Sequence, residues 1–512
     1  MPSLRQKKLS TSAKVFIIAA IALLYCPFFN IKMIGEGYIG DAMIQIKVGL
    51  DMIASKGLVL DEIYSWHPGL NWCPEEVGWY FFVGAAYKLF GLIGVIGLTA
   101  IFNYTMAGII FKKNLDDNVN PYILLLTAAA ARCMSFPNYN ARPHLASLLL
   151  TIILLYSMLS DKLTVKKKII VFCVSNLLLA WFHGGMIPLF FVIYAVFIVI
   201  ELVYKNYKVA CQYLIGLIPG FVASLLSPIG IETWTFAYLQ SQGTEIWANN
   251  MEWAPKTFPI LEIAVILLFL VGFGVDERLR AFDKKVITKL CFYCMFIIIS
   301  CKYCRFMNFT AMIVLMFCAE ELQVLLNWLN DNIFHFDKKK LEFGDISNYI
   351  LTVFCAGFMI YQSVFSWINY FPTNTLSDIS GIAAYDEGVI DLLKEKNYDK
   401  IYNSFFTGTW LVYYGIPVHL DNRTDPYMME FSGVDHIRGK MMIMSMRDMN
   451  AFVDEYDVDA IVVDMLPGTT DEYFAEDLYA SDRYNVIYDN TVYSTYVPDE
   501  ISHRWIVAEV VS

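Results

Sequence analysis

Apolar segments long enough to cross a bilayer recur along the chain and constrain its fold more than any other feature. The first covers residues 13–31, and ten more follow at roughly 92–111, 120–136, 143–160, 169–182, 186–204, 208–226, 258–275, 286–300, 306–328 and 349–369. About 20 apolar residues in a helix cross a ~30 Å hydrocarbon core. The pattern therefore predicts an α-helical polytopic membrane protein with about eleven transmembrane helices.

Composition excludes the main alternatives to a membrane protein. The chain is 57% hydrophobic and 17% charged, with a mean hydropathy of +0.48, whereas soluble proteins are nearer 45–50% apolar and about 25% charged. Its 37 Phe, 32 Tyr and 11 Trp are too much apolar surface for a disordered chain. Residues 371–512 contain neither a G-x-G-x-x-G motif nor a P-loop, so this part supports no nucleotide site, and we predict no nucleic-acid partner.

Charge divides the chain into two unlike parts. Residues 371–512 hold 25 acidic and 9 basic side chains, a formal charge of −16, whereas the remainder holds 24 acidic and 29 basic side chains, a charge of +5. In the acidic part, strand-like runs at 400–403, 417–420 and 460–463 alternate with helical patterns at 382–396, 446–456 and 471–479, and 484–488 with 492–497 resemble a hairpin around Asp489-Asn490. We predict a transmembrane domain over 1–370 and an acidic extracytoplasmic α/β domain over 371–512.

Basic loops set the predicted orientation. With the N-terminus inside, alternate loops, beginning with the one that holds Lys112 and Lys113, carry the excess of Lys and Arg that is typical of cytoplasmic loops. This alternation of inner and outer loops requires residues 32–91 to form a first outer loop. Helical spacing over 41–56 and a short, aromatic-rich run over 77–90 predict two interfacial helices within that loop.

Acidic residues are concentrated in the first outer loop. A carboxylate beside lipid and apolar walls can have a raised pKa and act as a general base. Any single member could instead only solvate an exposed loop. The candidates are Glu36, Asp41, Asp51, Asp61, Glu62, Glu75 and Glu76, with His67.

Cations at the outer ends of helices form the second set of candidates. Arg142 with His144, and Lys302 with Arg305, suit the phosphate of a lipid-linked donor, because guanidinium is planar and permanently charged. Arg142 could equally be an interfacial anchor. His183, in Trp181-Phe182-His183-Gly184-Gly185, could contact a ligand or only complete a tight turn.

The acidic domain holds one further candidate motif. Asp421, Arg423, Asp425 and Tyr427 follow a short strand-like run, where open α/β sheets place ligands. An internal salt bridge is the equal alternative. Two C-x-x-C pairs between residues 291 and 304 lack a supporting His, so we assign no metal ligands.

The order of motifs resembles the bacterial members of the GT-C glycosyltransferase superfamily, polytopic enzymes that use polyprenyl-phosphate-linked sugars. The motifs of the first outer loop are Gly40-Asp41-Ala42, Ser65-Trp66-His67, Trp72, Pro74-Glu75-Glu76 with Trp79, and Lys88-Leu89-Phe90-Gly91. Later motifs fit an uncharacterised branch: Arg142-Pro143, Trp181 with His183-Gly184, Arg305-Phe306, and the stretch from Gly408 to Tyr427. Relatives often pair acids at the Asp41 position, where Gly40 stands here.

The resemblance implies an inverting sugar transfer on the outer face of the bacterial cytoplasmic membrane. Asp41 matches the acid that activates the acceptor, and Glu75 and Glu76 fall near a lipid-phosphate or metal contact; we assign Glu76 to catalysis with Asp41. The resemblance implies donor phosphate binding by Arg142, Lys302 and Arg305, to which we add His144. We assign substrate binding to Glu36, His67, Glu75, His183, Asp421, Arg423, Asp425 and Tyr427.

The implied partners are a polyprenyl-phosphate-linked sugar, an envelope glycan, lipid or protein acceptor, and the bilayer. No cofactor is assigned, and the need for a divalent cation stays open. Two alternatives remain. A transporter or flippase for lipid-linked saccharides predicts inverted repeats and buried charges, which are scarce here. A non-catalytic envelope scaffold predicts an outer cavity without Asp41 and Arg142.

Overall fold

The computed structural model describes residues 39–134, 141–242, 255–335, 386–465, 471–493 and 501–511. The part before residue 336 is a helical bundle. Two 3₁₀ turns, Gly184–Met186 and Cys304–Phe306, and two π turns, Val314–Cys318 and Asn330–Phe334, interrupt it. Its α-helices are α1 (Ile39–Ser55), α2 (Val77–Asp116), α3 (Pro121–Cys133), α4 (His144–Leu159), α5 (Val165–Phe182), α6 (Ile187–Val203), α7 (Tyr207–Ser224), α8 (Glu232–Gln242), α9 (Ile260–Val275), α10 (Glu277–Arg280), α11 (Lys284–Lys302), α12 (Met307–Ile313) and α13 (Ala319–Leu329).

The helices agree with the predicted apolar segments wherever the two can be compared. Nine of the eleven segments overlap a helix, and the segments at 13–31 and 349–369 lie outside the described residues. Within the described part, three helical stretches are long and apolar enough to cross a membrane: Val77–Asp116, Gly184–Val203 and Cys304–Ile333. The chain is thus a membrane protein, while the number of eleven spans and the orientation stay predictions.

The first outer loop contains helices at both predicted places. α2 bends at Gly91, whose φ of 62° and ψ of −152° are not helical, so residues 77–90 form a segment separate from the apolar stretch that follows. α1 crosses this segment closely, because a Cβ on Gly49 would stand 2.8 Å from Cα of Gly84. The location of these helices in the membrane interface stays a prediction.

The acidic domain is built on a four-stranded sheet. Its strands are β1 (Ile401–Asn403), β2 (Ala460–Met465), β3 (Tyr484–Tyr493) and β4 (Ile501–Val510), in the order β1-β2-β4-β3, with β1 and β2 parallel and the other pairs antiparallel. The four core residues of β2 at 460–463 are buried. Its helices are α14 (Glu387–Lys396), α15 (Phe405–Tyr413), α16 (Met429–Ser432), α17 (Met446–Tyr456) and α18 (Asp471–Ala480).

Two predictions for this domain are wrong. No hairpin turns at Asp489-Asn490, because β3 runs through both residues and pairs with β4. Asp489 stays in the strand since its carboxylate accepts hydrogen bonds from Arg504 across the pair, at 2.9 and 2.6 Å. The run 417–420 is not a strand of this sheet; Val418 instead makes an isolated parallel bridge with Ser65 in the first outer loop.

Backbone hydrogen bonds join the acidic domain to the first outer loop. Val418 donates its N–H to the carbonyl of Tyr64 at 3.0 Å and accepts from the N–H of Trp66 at 3.2 Å. The indole of Trp66 donates to the carbonyl of Ile401 in β1 at 2.9 Å. The loop therefore pairs with the domain through one isolated backbone bridge and a side-chain hydrogen bond, which fix their relative position.

Arg423 adds buried ion pairs to this contact between the acidic domain and the first outer loop, which we call the joint. Its side chain is 4% exposed and pairs with Glu62 of the loop and with Asp421 of its own domain. The guanidinium also lies 4.9 Å from the ring centroids of Tyr64 and Trp72. A guanidinium that meets two carboxylates and two aromatic faces is fully compensated, which its burial requires.

We predict that Arg423→Gln loosens this joint. Removing one partner of a buried ion pair leaves unpaired charge behind and costs about 3–5 kcal/mol. The thermal unfolding midpoint of the full-length protein in detergent should fall, and protease should release the acidic domain. Arg483→Gln is the matched control, because Arg483 pairs with the 68% exposed Asp454 and such surface pairs are worth about 1 kcal/mol or less. Equal effects from both variants would contradict the assignment.

Candidate active site

Glu75 is buried against the loop that joins α5 to α6. Gly184 donates its N–H to the carbonyl oxygen of Glu75 at 3.2 Å, and Gly185 donates its N–H to the Glu75 carboxylate. A Cβ at either glycine would lie 3.3 Å from a carboxylate oxygen, which is tighter than an ordinary contact, so glycine at both positions permits the approach. Burial raises the pKa of Glu75 to about 7, although the Gly185 hydrogen bond and Arg305 oppose the shift.

Glu76 and His183 complete a cluster with Glu75. One oxygen of each carboxylate and one ring nitrogen of His183 lie within 4.8 Å of one another. Ser147 in α4 lies 2.7 Å from Nδ1 of His183 and so orients the ring. Burial, with the charges of Arg305 and His144, holds the pKa of His183 well below its ordinary value, which makes the ring neutral at pH 7.

The donor set of this cluster suits a divalent cation. Carboxylate oxygens favour Mg²⁺ or Mn²⁺, and a neutral imidazole adds affinity for Zn²⁺. In the part of the chain that the structure describes, Glu75, Glu76 and His183 are the one group of three such side chains close enough to share an ion. The two C-x-x-C pairs contribute no ligand to it.

Two predicted phosphate-binding residues lie beside the cluster. Arg305, in the turn Cys304–Phe306 before α12, is close enough for its charge to lower the pKa of both Glu75 and His183. His144, the first residue of α4, acts in the same direction on His183. The turns that precede α4, α6 and α12 therefore meet at Glu75.

The other two predicted cations stand at the ends of neighbouring helices. Arg142 lies two residues before α4 and is half-buried. Lys302 is the last residue of α11, is exposed, and holds its Nζ 5.0 Å from the ring centroid of Tyr303. The phosphate-binding role of all four residues stays a prediction.

Asp41 lies in the first turn of α1, but its side chain is outside the described part of the chain, as is the whole of Glu36. One turn further on, the amide oxygen of Gln45 accepts a hydrogen bond of 2.8 Å from the indole of Trp79. Residues four apart share a helix face. The backbone of Asp41 is therefore on the side of α1 that faces the start of α2, where Glu76 lies.

The predicted substrate residues of the acidic domain lie inside the joint. Asp421 accepts from Arg423 at 2.5 Å and from the hydroxyl of Tyr427 at 2.8 Å. Asp425 accepts the N–H of Cys73 at 3.0 Å and is near Glu75, since burial first and then the charge of Glu75 raise its pKa well above the ordinary value. This motif holds the loop that carries Glu75; its substrate role stays a prediction.

His67 also lies in the joint, within a buried group of three histidines. Its Nε2 is 2.7 Å from Nδ1 of His419, and its ring stacks on His436 with centroids 3.9 Å apart. Burial, the neighbouring histidine and two lysines lower the pKa of His67 to about 3. Lys440 also faces the group through Tyr456, to whose hydroxyl it donates at 2.6 Å. All three rings are therefore neutral at pH 7.

Three residues of these arrangements, Ser147, His419 and His436, were missed in the sequence. Glu62 was a candidate of the acidic loop, but nothing local identified it as the partner of Arg423. Ser147 lies three residues after His144 in α4 and so on the same helix face. This spacing could have placed Ser147 near the site. His419 and His436 carry no signal in isolation, because histidine pairs form only once the loop and the domain are in contact.

The fold is similar to that of a known enzyme, although no protein-family model and no curated protein matches the chain. The apo crystal structure of the Archaeoglobus fulgidus oligosaccharyltransferase aligns with a TM-score of 0.57 at 11% identity, over 91% of this chain and 71% of that one. The same enzyme, tethered by a disulfide to an acceptor peptide with the NVT sequon, aligns with a TM-score of 0.51 at 11% identity, over 96% and 74%. The chain therefore shares the overall fold of this oligosaccharyltransferase.

Stability should depend on the ionisation of Glu75. The folded-state pKa is raised above the ordinary 4.5, so the protein binds this proton more tightly when folded, and stability is lost as the pH rises from about 4.5 to 7. In EDTA, Glu75→Gln should match the wild type at pH 4 and exceed it at pH 8 by up to about 3 kcal/mol. The exposed Asp61→Asn is the control. No gain for Glu75→Gln at pH 8 would contradict a buried carboxylate.

The histidine group should make the joint sensitive to acid. Because folding lowers the pKa of His67, His419 and His436, the stability they contribute is complete above pH 6.5 and is lost as the pH falls toward 3. The protection factors of the amides of residues 418–420, which correct for the intrinsic exchange rate at each pH, should fall between pH 7 and 5. His67→Asn should reduce this fall in protection, whereas the exposed His335→Asn should not. An unchanged profile in His67→Asn would overturn the assignment.

Proposed function

We propose that the protein is a membrane glycosyltransferase that moves a sugar from a polyprenyl-phosphate donor to an envelope glycan, lipid or protein on the outer face of the cytoplasmic membrane. The observation that supports this most is the meeting of Glu75, Glu76 and His183 with Arg305 at one end of the bundle, in a GT-C-like fold. The similar fold is that of an oligosaccharyltransferase whose crystal structure contains a tethered acceptor peptide.

The proposed reaction is a single displacement at the anomeric carbon. Asp41 and Glu76 are the proposed catalytic acids, and Asp41 accepts the proton of the acceptor as the acceptor oxygen or nitrogen attacks. The bond from the anomeric carbon to the phosphate oxygen breaks, the lipid phosphate leaves with that electron pair, and the configuration at the carbon inverts. A base is required because a neutral hydroxyl or amide is a weak nucleophile.

The leaving phosphate needs fixed positive charge. Arg305 is the proposed principal contact, with Arg142, His144 and Lys302 around it, since a guanidinium binds phosphate oxygens in a bidentate manner. Glu75, Glu76 and His183 would hold a divalent cation, which supplies further charge compensation for the phosphate. The raised pKa of Glu75 means that it binds a cation best above pH 7.

The acidic domain has a positioning role in this proposal. Arg423 pairs with Glu62 of the first outer loop, and Asp425 accepts a hydrogen bond from the N–H of Cys73. These contacts hold the segment 73–76 against Gly184 and Gly185. Small displacements of a catalytic carboxylate reduce rates strongly, which is why a rigid support is needed.

Transfer should depend on Asp41 and Glu76 in an assay with purified full-length protein and a panel of synthetic polyprenyl-phosphate monosaccharides. We expect Asp41→Asn to lower the rate by roughly 10²–10⁴, the usual contribution of a general base. Arg305→Gln should raise the KM for the donor about tenfold or more, from a lost charge-assisted bond of about 1.5–3 kcal/mol. Asp61→Asn, which changes another acid of the same loop, should leave the rate unchanged.

Two results would reject the proposal. If the folded Asp41→Asn and Glu76→Gln variants transferred sugar at the wild-type rate, these two residues would not be catalytic. Movement of a fluorescent polyprenyl-phosphate sugar across proteoliposomes without any transfer would favour a flippase.

A further inference from the structure

An apolar groove separates the ends of the two helices of the first outer loop. Its walls come from Met52 and Leu58 on one side and from Phe81, Ala85 and Leu89 on the other. The groove has a volume of about 660 Å³, within the range of sites for small molecules. None of its lining residues belongs to the Glu75 cluster.

The groove lies where a lipid surface is expected. It opens just before Gly91, the bend after which the apolar stretch of α2 begins. Large side chains around it are strongly exposed: Leu89 is 71% and Phe90 70% accessible, with Phe81 and Phe82 near one half. A contiguous apolar surface of this kind marks a binding or membrane face rather than a water-exposed one.

Two cations line the groove beside this apolar surface. Lys56 and Lys88 are both exposed, and neither forms an ion pair with a residue in the described ranges. The nearest acid on α1, Asp51, is engaged elsewhere, with Lys47 at 2.6 Å and the hydroxyl of Tyr64 at 3.0 Å. Apolar walls with two adjacent ammonium groups complement a molecule that has a negative head and a hydrocarbon chain.

The end of α1 opposes an anion at this place only in part. Ser55 Oγ donates to the carbonyls of Asp51 and Met52 at 2.8 and 3.3 Å, and the N–H of Gly57 donates to Met52 at 3.2 Å. The last carbonyl dipoles are thus partly satisfied. Lys56 adopts the left-handed conformation, with φ of 54°, as is common where a helix ends.

We propose that this groove binds an anionic phospholipid of the surrounding bilayer. Lys56 and Lys88 contact its phosphate, and the start of an acyl chain lies along Phe81, Ala85 and Leu89. Each lysine near an anionic lipid surface contributes about 1 kcal/mol. The bound lipid ties the first outer loop to the membrane, independently of the proposed sugar transfer.

Native mass spectrometry of the full-length protein tests this site. The protein in neutral detergent is titrated with dioleoylphosphatidylglycerol or with dioleoylphosphatidylcholine, whose choline cancels the phosphate charge. We expect the wild type to bind phosphatidylglycerol at least tenfold more tightly. The double variant K56A/K88A should weaken phosphatidylglycerol binding by about thirtyfold, from two lysine contacts, while K56R/K88R should retain it.

Further experiments distinguish lipid binding in the groove from nonspecific attraction to positive charge and from binding of free phosphate. Ala85→Trp fills the groove without changing charge and should weaken both lipids. K166A/K167A, which removes two exposed lysines at the start of α5, should bind as the wild type does. Unchanged phosphatidylglycerol binding by K56A/K88A or Ala85→Trp would overturn the proposal. Displacement of the lipid by millimolar inorganic phosphate would overturn it as well, because it would assign the site to a free anion.

Discussion

The buried carboxylate of Glu75, held by the N–H of Gly185, is the contact on which the arrangement of the site depends. It fastens the first outer loop to the turn before α6, and through His183 and Ser147 it reaches the start of α4. Burying a carboxylate without full compensation is unfavourable, which is why its pKa rises. Natural proteins retain such groups mostly where their chemistry is used.

A second buried charge keeps that contact in place from the other side. Arg423 and Glu62 are 361 residues apart in sequence, yet they join the acidic domain to the loop at a point thirteen residues before Glu75. The histidine group and the bridge between Ser65 and Val418 act at the same joint. The loop thus stays ordered because it is held at one end by a domain and at the other by the bundle.

Local sequence patterns predicted the helices well but predicted the tertiary contacts between distant residues poorly. The helix Met446–Tyr456 was predicted with its bounds, because its apolar residues have helical spacing and Ser445 caps it. The hairpin failed because Asp489-Asn490, a turn signal, is stabilised in an edge strand by Arg504. Loop motifs singled out Glu75, Glu76, His183 and Arg305 in three separate candidate clusters, and the structure groups Glu75, Glu76 and His183 within 4.8 Å of one another; the predicted roles of all four stay predictions. The pairing of Arg423 with Glu62 could not be predicted, since an ion pair at that separation is fixed only by the tertiary fold.

The most direct test of the account is a cryo-electron microscopy structure of the full-length protein in a lipid nanodisc with a polyprenyl phosphate and Mn²⁺. The charges of Arg305 and His144 act on His183 of the cluster, and one candidate ligand atom from each of Glu75, Glu76 and His183 lies within 4.8 Å of the others. We predict density for the lipid phosphate in contact with Arg305 and for an ion between Glu75, Glu76 and His183. A polyprenyl phosphate bound elsewhere, with this cluster closed and empty, would contradict the account.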